Sequence, residues 1–297
     1  MLSLVLLAAI AAVASSAHAG ICVGASVGCG ILRVRQAAVV YTSMIIAGAL
    51  IEGFMMRRAV FNTSVCVLAT TIAMSVLPSL SGIPLSLNFG LYTSQIGCAI
   101  ARQGTYIIAR LADMGWWWAL FILATGALSL LLQRVVEAKL SSSRAPLSVL
   151  RSARIAIIVL TLLLSFVVGA NTFGFIIAFY RTSSYLGTAI LVLCIAIPAL
   201  LLSRRSIEKV AYRFYRLRLS NTISTLAVSI AIIEAATLLG VPLPASLTTT
   251  TAIYFAGLVA RYRYINARTY AQYVAVQCIA IPTALGLGYA LSLALGC

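Results

Sequence analysis

GIPLSLN (Gly82–Asn88) and PLPASLT (Pro242–Thr248) are one phrase written twice. Both contain Pro-x-Ser-Leu followed by a polar amide or hydroxyl. Both are followed by a glycine 13 residues after the proline, Gly97 and Gly257. Each proline, Pro84 and Pro244, precedes a short apolar segment, 85–101 or 246–260. A full helical crossing needs about 20 apolar residues. A shorter run behind a proline therefore reads as a broken or re-entrant helix. Two further pairs keep the same order: FMMRRAV (Phe54–Val60) faces LLSRRSI (Leu201–Ile207), and VGAS (Val23–Ser26) faces VGAN (Val168–Asn171). Matches in one order along two halves indicate an internal repeat.

Composition sets the solvent. The 297 residues are 62% hydrophobic and 9% charged, with a mean hydropathy of +1.08. A soluble domain carries about 25% charged residues. The chain therefore reads as an all-α integral membrane protein. Its net charge of +16 sits in short clusters between apolar runs, which is the pattern of cytoplasmic loops rather than of a nucleic-acid surface. Apolar segments fall at 1–19, 37–54, 61–79, 85–101, 115–133, 155–178, 185–203, 221–240, 246–260 and 270–293. That predicts about ten helical crossings. With residues 133–154 on the cytoplasmic side, 16 of the 21 Lys and Arg lie inside. The basic linker 134–154, with KLSSSRAP, leaves five crossings on each side. An odd number per half inverts the second half, so 1–133 and 155–297 are expected as two inverted five-crossing repeats with broken or re-entrant helices.

The seven cysteines include no CxxC pair and read as small packing residues, not as a metal site or disulfide framework. The polar groups that open the short helices carry more information. Ser86 and Asn88 follow Pro84; Ser246, Thr248, Thr249 and Thr250 follow Pro244. Hydroxyls and amides beside free N–H groups at a helix start suit a dehydrated oxyanion. Serine and threonine also pack helices and cap proline breaks. Two such motifs in matching repeat positions favour a site. In VGANTFG (Val168–Gly174), Gly169 and Gly174 allow a helix to open, and Asn171 and Thr172 offer ligands.

Only five acidic residues occur. Glu52 and Glu234 lie within apolar sequence, where a charge costs at least ~2.5 kcal/mol by insertion scales. Glu52 stands five residues before Arg57, a candidate partner. Glu234 and the lone histidine, His18, are the candidates for carrying a coupling proton. The chain shows no paired carboxylates, no HExxH and no GxxxxGK[ST] loop, which argues against an enzyme and against direct ATP coupling. Near the start, Ala17-His18-Ala19 before Gly20 has the look of a leader cleavage site, and the Gly-rich run to Gly30 that of backbone meant to bend. No basic residue precedes the apolar run, so the leader reading is the weaker one.

With these residues laid out, the chain resembles the PiT inorganic phosphate transporter family. LTLLLSFVVGANTFGF (Leu160–Phe175) is similar to the family's helix ending in GANDVANA. LLSRRSIEKV and then LLGVPLPASLTTTTAIYFAGLV follow its Pro-x-Ser-Thr-Thr region in order and spacing. ASVGCGILRVRQA (Ala25–Ala37) and GIPLSLNFGLYTSQIG (Gly82–Gly97) resemble the first-half counterparts. The resemblance implies that 1–19 is the first transmembrane helix and is retained. It also marks departures. The family's two signature aspartates fall on His18 and Thr172, its first asparagine on Ala17, and its second on Asn171. The Ser-Thr-Thr motifs become Ser86-Leu87-Asn88 and Ser246-Leu247-Thr248.

The expected function is secondary active transport of inorganic phosphate by cation-coupled symport across the cell membrane. Substrate binding is assigned to Ser86, Asn88, Asn171, Thr172, Ser246, Thr248 and Thr249. No cofactor is expected beyond a coupling ion, Na+ or H+. Loss of both family aspartates makes strong sodium dependence unexpected. The partners are the anion and the lipid bilayer, without nucleic acid, and a homodimer stays open. The alternatives are another oxyanion, such as sulfate or arsenate, and a transport-inactive structural or regulatory paralogue.

Overall fold

The protein is described by a computed structural model over residues 2–81, 86–141, 146–180, 185–213, 218–259 and 267–296. Pro84, the middle of the linker at 142–145, Arg181, Arg216, Arg261, Arg263 and Cys297, all used in the sequence reading, lie outside the described residues. Every regular element described is helical. In chain order these are α1 (Leu2–Gly28), α2 (Val34–Ile51), a 3-10 helix (Gly53–Ala59), α3 (Val65–Ser81), α4 (Leu87–Gln103), a short 3-10 turn (Thr105–Ile107), α5 (Ile108–Ser141), α6 (Pro146–Val168), a π-helical turn (Gly169–Phe173), α7 (Gly174–Ala178), α8 (Tyr185–Leu201), α9 (Arg204–Arg213), α10 (Leu219–Leu238), α11 (Ala245–Val259) and α12 (Ala267–Leu295).

Each expected apolar span is helical. Six helices among the described residues are long and apolar enough to cross a membrane, or seven if α8 and α9, bent by 54°, form one broken span. The chain is an integral membrane protein of all-helical architecture. α11 is among the shorter apolar helices, at 15 residues, as its proline predicts. At 34 residues, α5 is about 51 Å long at 1.5 Å per residue. That exceeds the ~30 Å hydrocarbon layer, so the described parts of the linker are continuations of α5 and α6 rather than coil.

Two expectations need correction. The Gly-rich run after Ser16 does not break the helix. α1 continues to Gly28, nine residues beyond the predicted end. Nor are all the cysteines mere packing residues. Cys22, Cys29, Cys98, Cys194 and Cys278 are free, but Cys66 is disulfide-bonded. Its partner lies outside the described residues.

Another helix lies on the glycines of α1. A Cβ at Gly20 would collide with the Ser206 carbonyl, one at Gly24 would come within 2.9 Å of Val210, and one at Gly28 within 2.7 Å of the Ala211 carbonyl. Gly20, Gly24 and Gly28 are a doubled small-x-x-x-small pattern, which lets membrane helices approach to backbone contact. The partner is amphipathic α9, whose Ile207, Val210 and Ala211 are buried while Arg204, Arg205 and Lys209 are exposed. Ser206 Oγ accepts from Gly20 N–H (3.2 Å) and donates to the Ala17 carbonyl (2.6 Å), servicing the α1 backbone from 186 residues away. A Gly20→Ala change is expected to cost about 1–3 kcal/mol by overpacking. Gly115 has open space around it, so Gly115→Ala should leave the thermal midpoint in detergent within error. Equal midpoints for both variants would contradict this account of the α1–α9 contact.

The helices exchange partners across the linker. α1 packs on α8 and α9, while α6 and α7 pack on α2 and the first 3-10 helix; α4 packs along α12 and beside α3, while α11 packs along α5 and beside α10. The glycine contacts follow suit. A Cβ at Gly48 of α2 would strike the Phe166 carbonyl, and Gly53 lies against Gly174. α5 and α10 meet along buried polar residues at helical spacing, Thr125, Ser129 and Gln133 opposite Asn221, Thr225 and Ser229. Gln133 Nε2 donates to Asn221 Oδ1 at 3.1 Å.

Candidate functional site

The two short helices start against one another. Asn88, in the first turn of α4, is 1% exposed. Its Nδ2 donates to the Leu243 carbonyl (2.6 Å), just before α11, to Asn171 Oδ1 (3.0 Å) and, more weakly, to Thr172 Oγ1 (3.4 Å). Residues 88, 171–172 and 243, widely separated in sequence, therefore share one buried cluster. The predicted opening of VGANTFG is present as the π-helical turn Gly169–Phe173. Such a turn inserts an extra residue and re-aims side chains. Here it brings Asn171 to the α10–α11 connection.

Asn171 uses its whole hydrogen-bonding capacity. Oδ1 accepts from Leu243 N–H (3.0 Å) and Asn88, and Nδ2 donates to Thr237 Oγ1 (3.1 Å) and the Val241 carbonyl (3.0 Å). It clamps the extended stretch 241–243 ahead of Pro244. Thr248 Oγ1 donates to the Pro244 carbonyl at 3.2 Å. Four other groups behave differently. Ser86 Oγ, Asn88 Oδ1, Ser246 Oγ and Thr249 Oγ1 are buried and have no hydrogen-bond partner. Ser86 holds the N-cap position of α4, yet its hydroxyl does not cap the helix. Its N–H instead donates to Gln277 Oε1 at 2.9 Å. An unpaired buried polar atom costs about 1–3 kcal/mol, so the Ser86, Ser246 and Thr249 hydroxyls at the two helix starts are donors open to a polar ligand; further unpaired polar atoms line the α5–α10 seam, at Ser129, Thr225 and Ser229.

The fold is that of the sodium-dependent phosphate transporter. A solved structure bearing that title matches with a TM-score of 0.86 over 99% of this chain and 98% of its own, at 13% sequence identity. No family model matches the sequence, and no curated protein does. At 13% identity the likeness carries the architecture, and it bears out the PiT resemblance at that level.

A cavity of about 450 Å3 reaches this region. Ser86 and Leu87 line it from α4, His18 from α1, Arg205 and Lys209 from α9, and Tyr273 from α12. His18 is 5% exposed. Its Nδ1 lies 2.9 Å from the Ala14 carbonyl, which can only accept, so Nδ1 carries the hydrogen. The ring meets Phe173 of the π-turn edge-on, at a 6.2 Å centroid distance. His18 thus stands on the cavity wall and against the π-turn that carries Thr172. On the other flank, Phe89, Tyr92 and Trp118 form a buried aromatic group, and Trp118 Nε1 donates to the Pro242 carbonyl at 3.0 Å.

Glu234 is elsewhere. It lies in α10 and is not among the residues lining the cavity. Glu52 makes no ion pair with Arg57; the ion pair among the described residues is Arg204–Glu208, at 2.8 Å. Arg205, Lys209, Ser206, Tyr273 and Gln277 were not singled out from sequence. The LLSRRSIEKV stretch did carry a signal in its i, i+4 cations, Arg205 and Lys209, which share a helix face.

Proposed function

We propose that this protein is a secondary active transporter of inorganic phosphate across the cell membrane. It is built from two inverted halves of five helical crossings, 1–133 and 155–297, joined by 134–154. The observation that carries the reading is the meeting of two half-helix starts, one from each half, beside buried hydroxyls that have no partner among the described residues. An oxyanion has four acceptor oxygens and needs donors that do not repel it. Ser86, Ser246 and Thr249 supply hydroxyls, and the first N–H groups of α4 and α11 supply positive dipole ends. Thr248 belongs to the same turn. Asn88 bridges the two starts, and Asn171 and Thr172 position them. The paired exchange of helix contacts, α1 on α8 and α9 as α6–α7 on α2 and the 3-10 helix, supports the inverted repeat. The solved transporter of like fold supports phosphate as the substrate.

His18 is the group placed to carry a proton beside the anion, through Nε2. Glu234, in α10 and away from the cavity, is the alternative. Neither position given to the family's aspartates holds an acid, so a sodium ion at the site would meet carbonyls and hydroxyls with little compensating charge besides the substrate. Radiolabelled phosphate uptake into proteoliposomes, with sodium and proton gradients imposed separately, tests this. Uptake above empty vesicles, driven by the proton gradient, inhibited by arsenate and weakly dependent on sodium, is the expected result. Strict sodium dependence would overturn the coupling argument. Uptake no greater than in empty vesicles would leave a transport-inactive membrane paralogue as the reading.

A further inference from the structure

We infer that the seam between α5 and α10 binds a file of water molecules, entered from the cytoplasmic end at Glu137 and separate from the cavity beside His18. The inference needs the membrane and the orientation of the chain, not the transport of phosphate. Among the described residues, none that lines the cavity belongs to α5, α10 or α11. The seam is lined by Ser129 and Gln133 of α5 and by Asn221, Thr225 and Ser229 of α10, all fully buried. Each carries a side-chain atom with no hydrogen-bond partner among the described residues: Ser129 Oγ, Gln133 Oε1, Asn221 Nδ2, Thr225 Oγ1 and Ser229 Oγ. A hydroxyl on a helix has a partner close at hand, the carbonyl four residues back. Thr125, Ser224 and Thr237 of these two helices take it, at 2.7, 3.1 and 2.8 Å. Ser129, Thr225 and Ser229 do not, so their hydroxyls stay open to the seam.

The two amides select the ligand. An ionised carboxylate only accepts hydrogen bonds, so the Gln133 atom 2.9 Å from Glu137 Oε1 is Nε2. Gln133 Nε2 also meets Asn221 Oδ1 at 3.1 Å, which fixes the Asn221 amide in turn. What remains unpaired at this level is one acceptor, Gln133 Oε1, and one donor, Asn221 Nδ2. A cation would suit the first and be repelled by the second, and an anion the reverse. Water both donates and accepts, and so serves both. The spacing agrees. Asn221, Thr225 and Ser229 are four residues apart, a rise of about 6 Å per step. Two successive O–H···O bonds of about 2.8 Å span nearly the same distance, so one water bridges each step. A buried water makes about three hydrogen bonds, and facing side chains with the next water supply that number. Beyond Ser229 the file leads toward α11, which carries the unpaired Thr249 Oγ1 and packs against both α5 and α10.

Radiolytic footprinting tests this on the purified full-length chain in detergent. A brief X-ray pulse generates hydroxyl radicals from water wherever water sits, and these oxidise an adjacent thiol. Ser229→Cys places a thiol at the inner end of the file with little change of shape, and Thr225→Cys is a second probe one turn nearer the entrance. Native Cys22, free and fully buried in α1, is the dry reference within the same molecule. Peptide-resolved mass spectrometry reads each site separately. Both introduced thiols should be oxidised about tenfold faster than Cys22 or more, as side chains beside bound water. Adding Thr225→Leu to Ser229→Cys should plug the file and return the inner thiol toward the rate of Cys22. If both introduced thiols react as slowly as Cys22, in variants that elute like the parent, the seam is dry and the inference fails. Oxidation that falls when sodium replaces choline at equal ionic strength would make the seam a cation site and overturn the assignment to water. An inner thiol that the Thr225→Leu plug leaves unchanged would overturn entry from the Glu137 end.

Discussion

Leucine in place of Asn171 is expected to lower stability by about 2–6 kcal/mol, the cost of two buried backbone groups left without partners at about 1–3 kcal/mol each. It should also abolish phosphate uptake. The shapes are similar, so little packing is lost. What disappears is the bond to Leu243 N–H at 3.0 Å and the one to the Val241 carbonyl at 3.0 Å. Both groups lie in the connection between α10 and α11, buried and without regular helix geometry to rescue them. Thr237 keeps its own bond to the Ile233 carbonyl, and Asn88 keeps Leu243, so the damage concentrates on 241–243. That stretch sets the position of α11's first turn, where Ser246 lies. Thermal unfolding in detergent reads the stability, and proteoliposome uptake reads the function. A variant that melts with the parent would mean that the clamp is not what holds α11 in place. Combined with Asn88→Leu the losses should be less than additive, because the two amides share a bond and act on one cluster.

Much of this fold was legible because membranes impose local rules. Ten apolar runs became helices, since a backbone without water must satisfy itself within each segment. Pro244 shortened α11, and the glycines of VGANTFG opened a π-turn where the sequence placed one. What failed to read through was tertiary. Gly20–Gly28 resembled a flexible bend, yet its glycines admit α9, and Ser206 arrives from far along the chain to take up Gly20 N–H. The spacing was open to inspection as small-x-x-x-small; the identity of the partner was not. The same holds for the disulfide of Cys66, whose spacing to other cysteines follows no motif. In the site, sequence reasoning named the polar residues at both helix starts. It could not tell which of them spend their hydrogen bonds on the protein. Asn171 and Thr248 do, whereas Ser86, Ser246 and Thr249 have hydroxyls to spare.

That division makes the double change Ser86→Ala with Ser246→Ala the sharpest test of the site. Removing a hydroxyl usually destabilises when it breaks a bond, but neither of these oxygens has a partner to lose among the described residues. Both are nearly inaccessible, at 3% and 1% exposure, so alanine also relieves buried oxygens of their unmet demand. The ligand-free double variant should therefore melt at or slightly above the parent temperature. Binding should respond in the opposite sense. A hydrogen bond to a charged ligand is worth about 1.5–3 kcal/mol. Losing two should weaken phosphate binding by roughly two to four orders of magnitude, since each 1.4 kcal/mol is tenfold. A purely structural serine cannot produce that pair of results, because its loss would lower the melting temperature and leave the affinity of the folded fraction alone. Isothermal titration with inorganic phosphate and thermal unfolding on the same preparations measure both quantities. Phosphate added to the parent should raise its melting temperature by mass action, and that increment should vanish in the double variant. If instead the variant melts lower and binds phosphate as the parent does, these two serines hold helices together and the anion binds elsewhere.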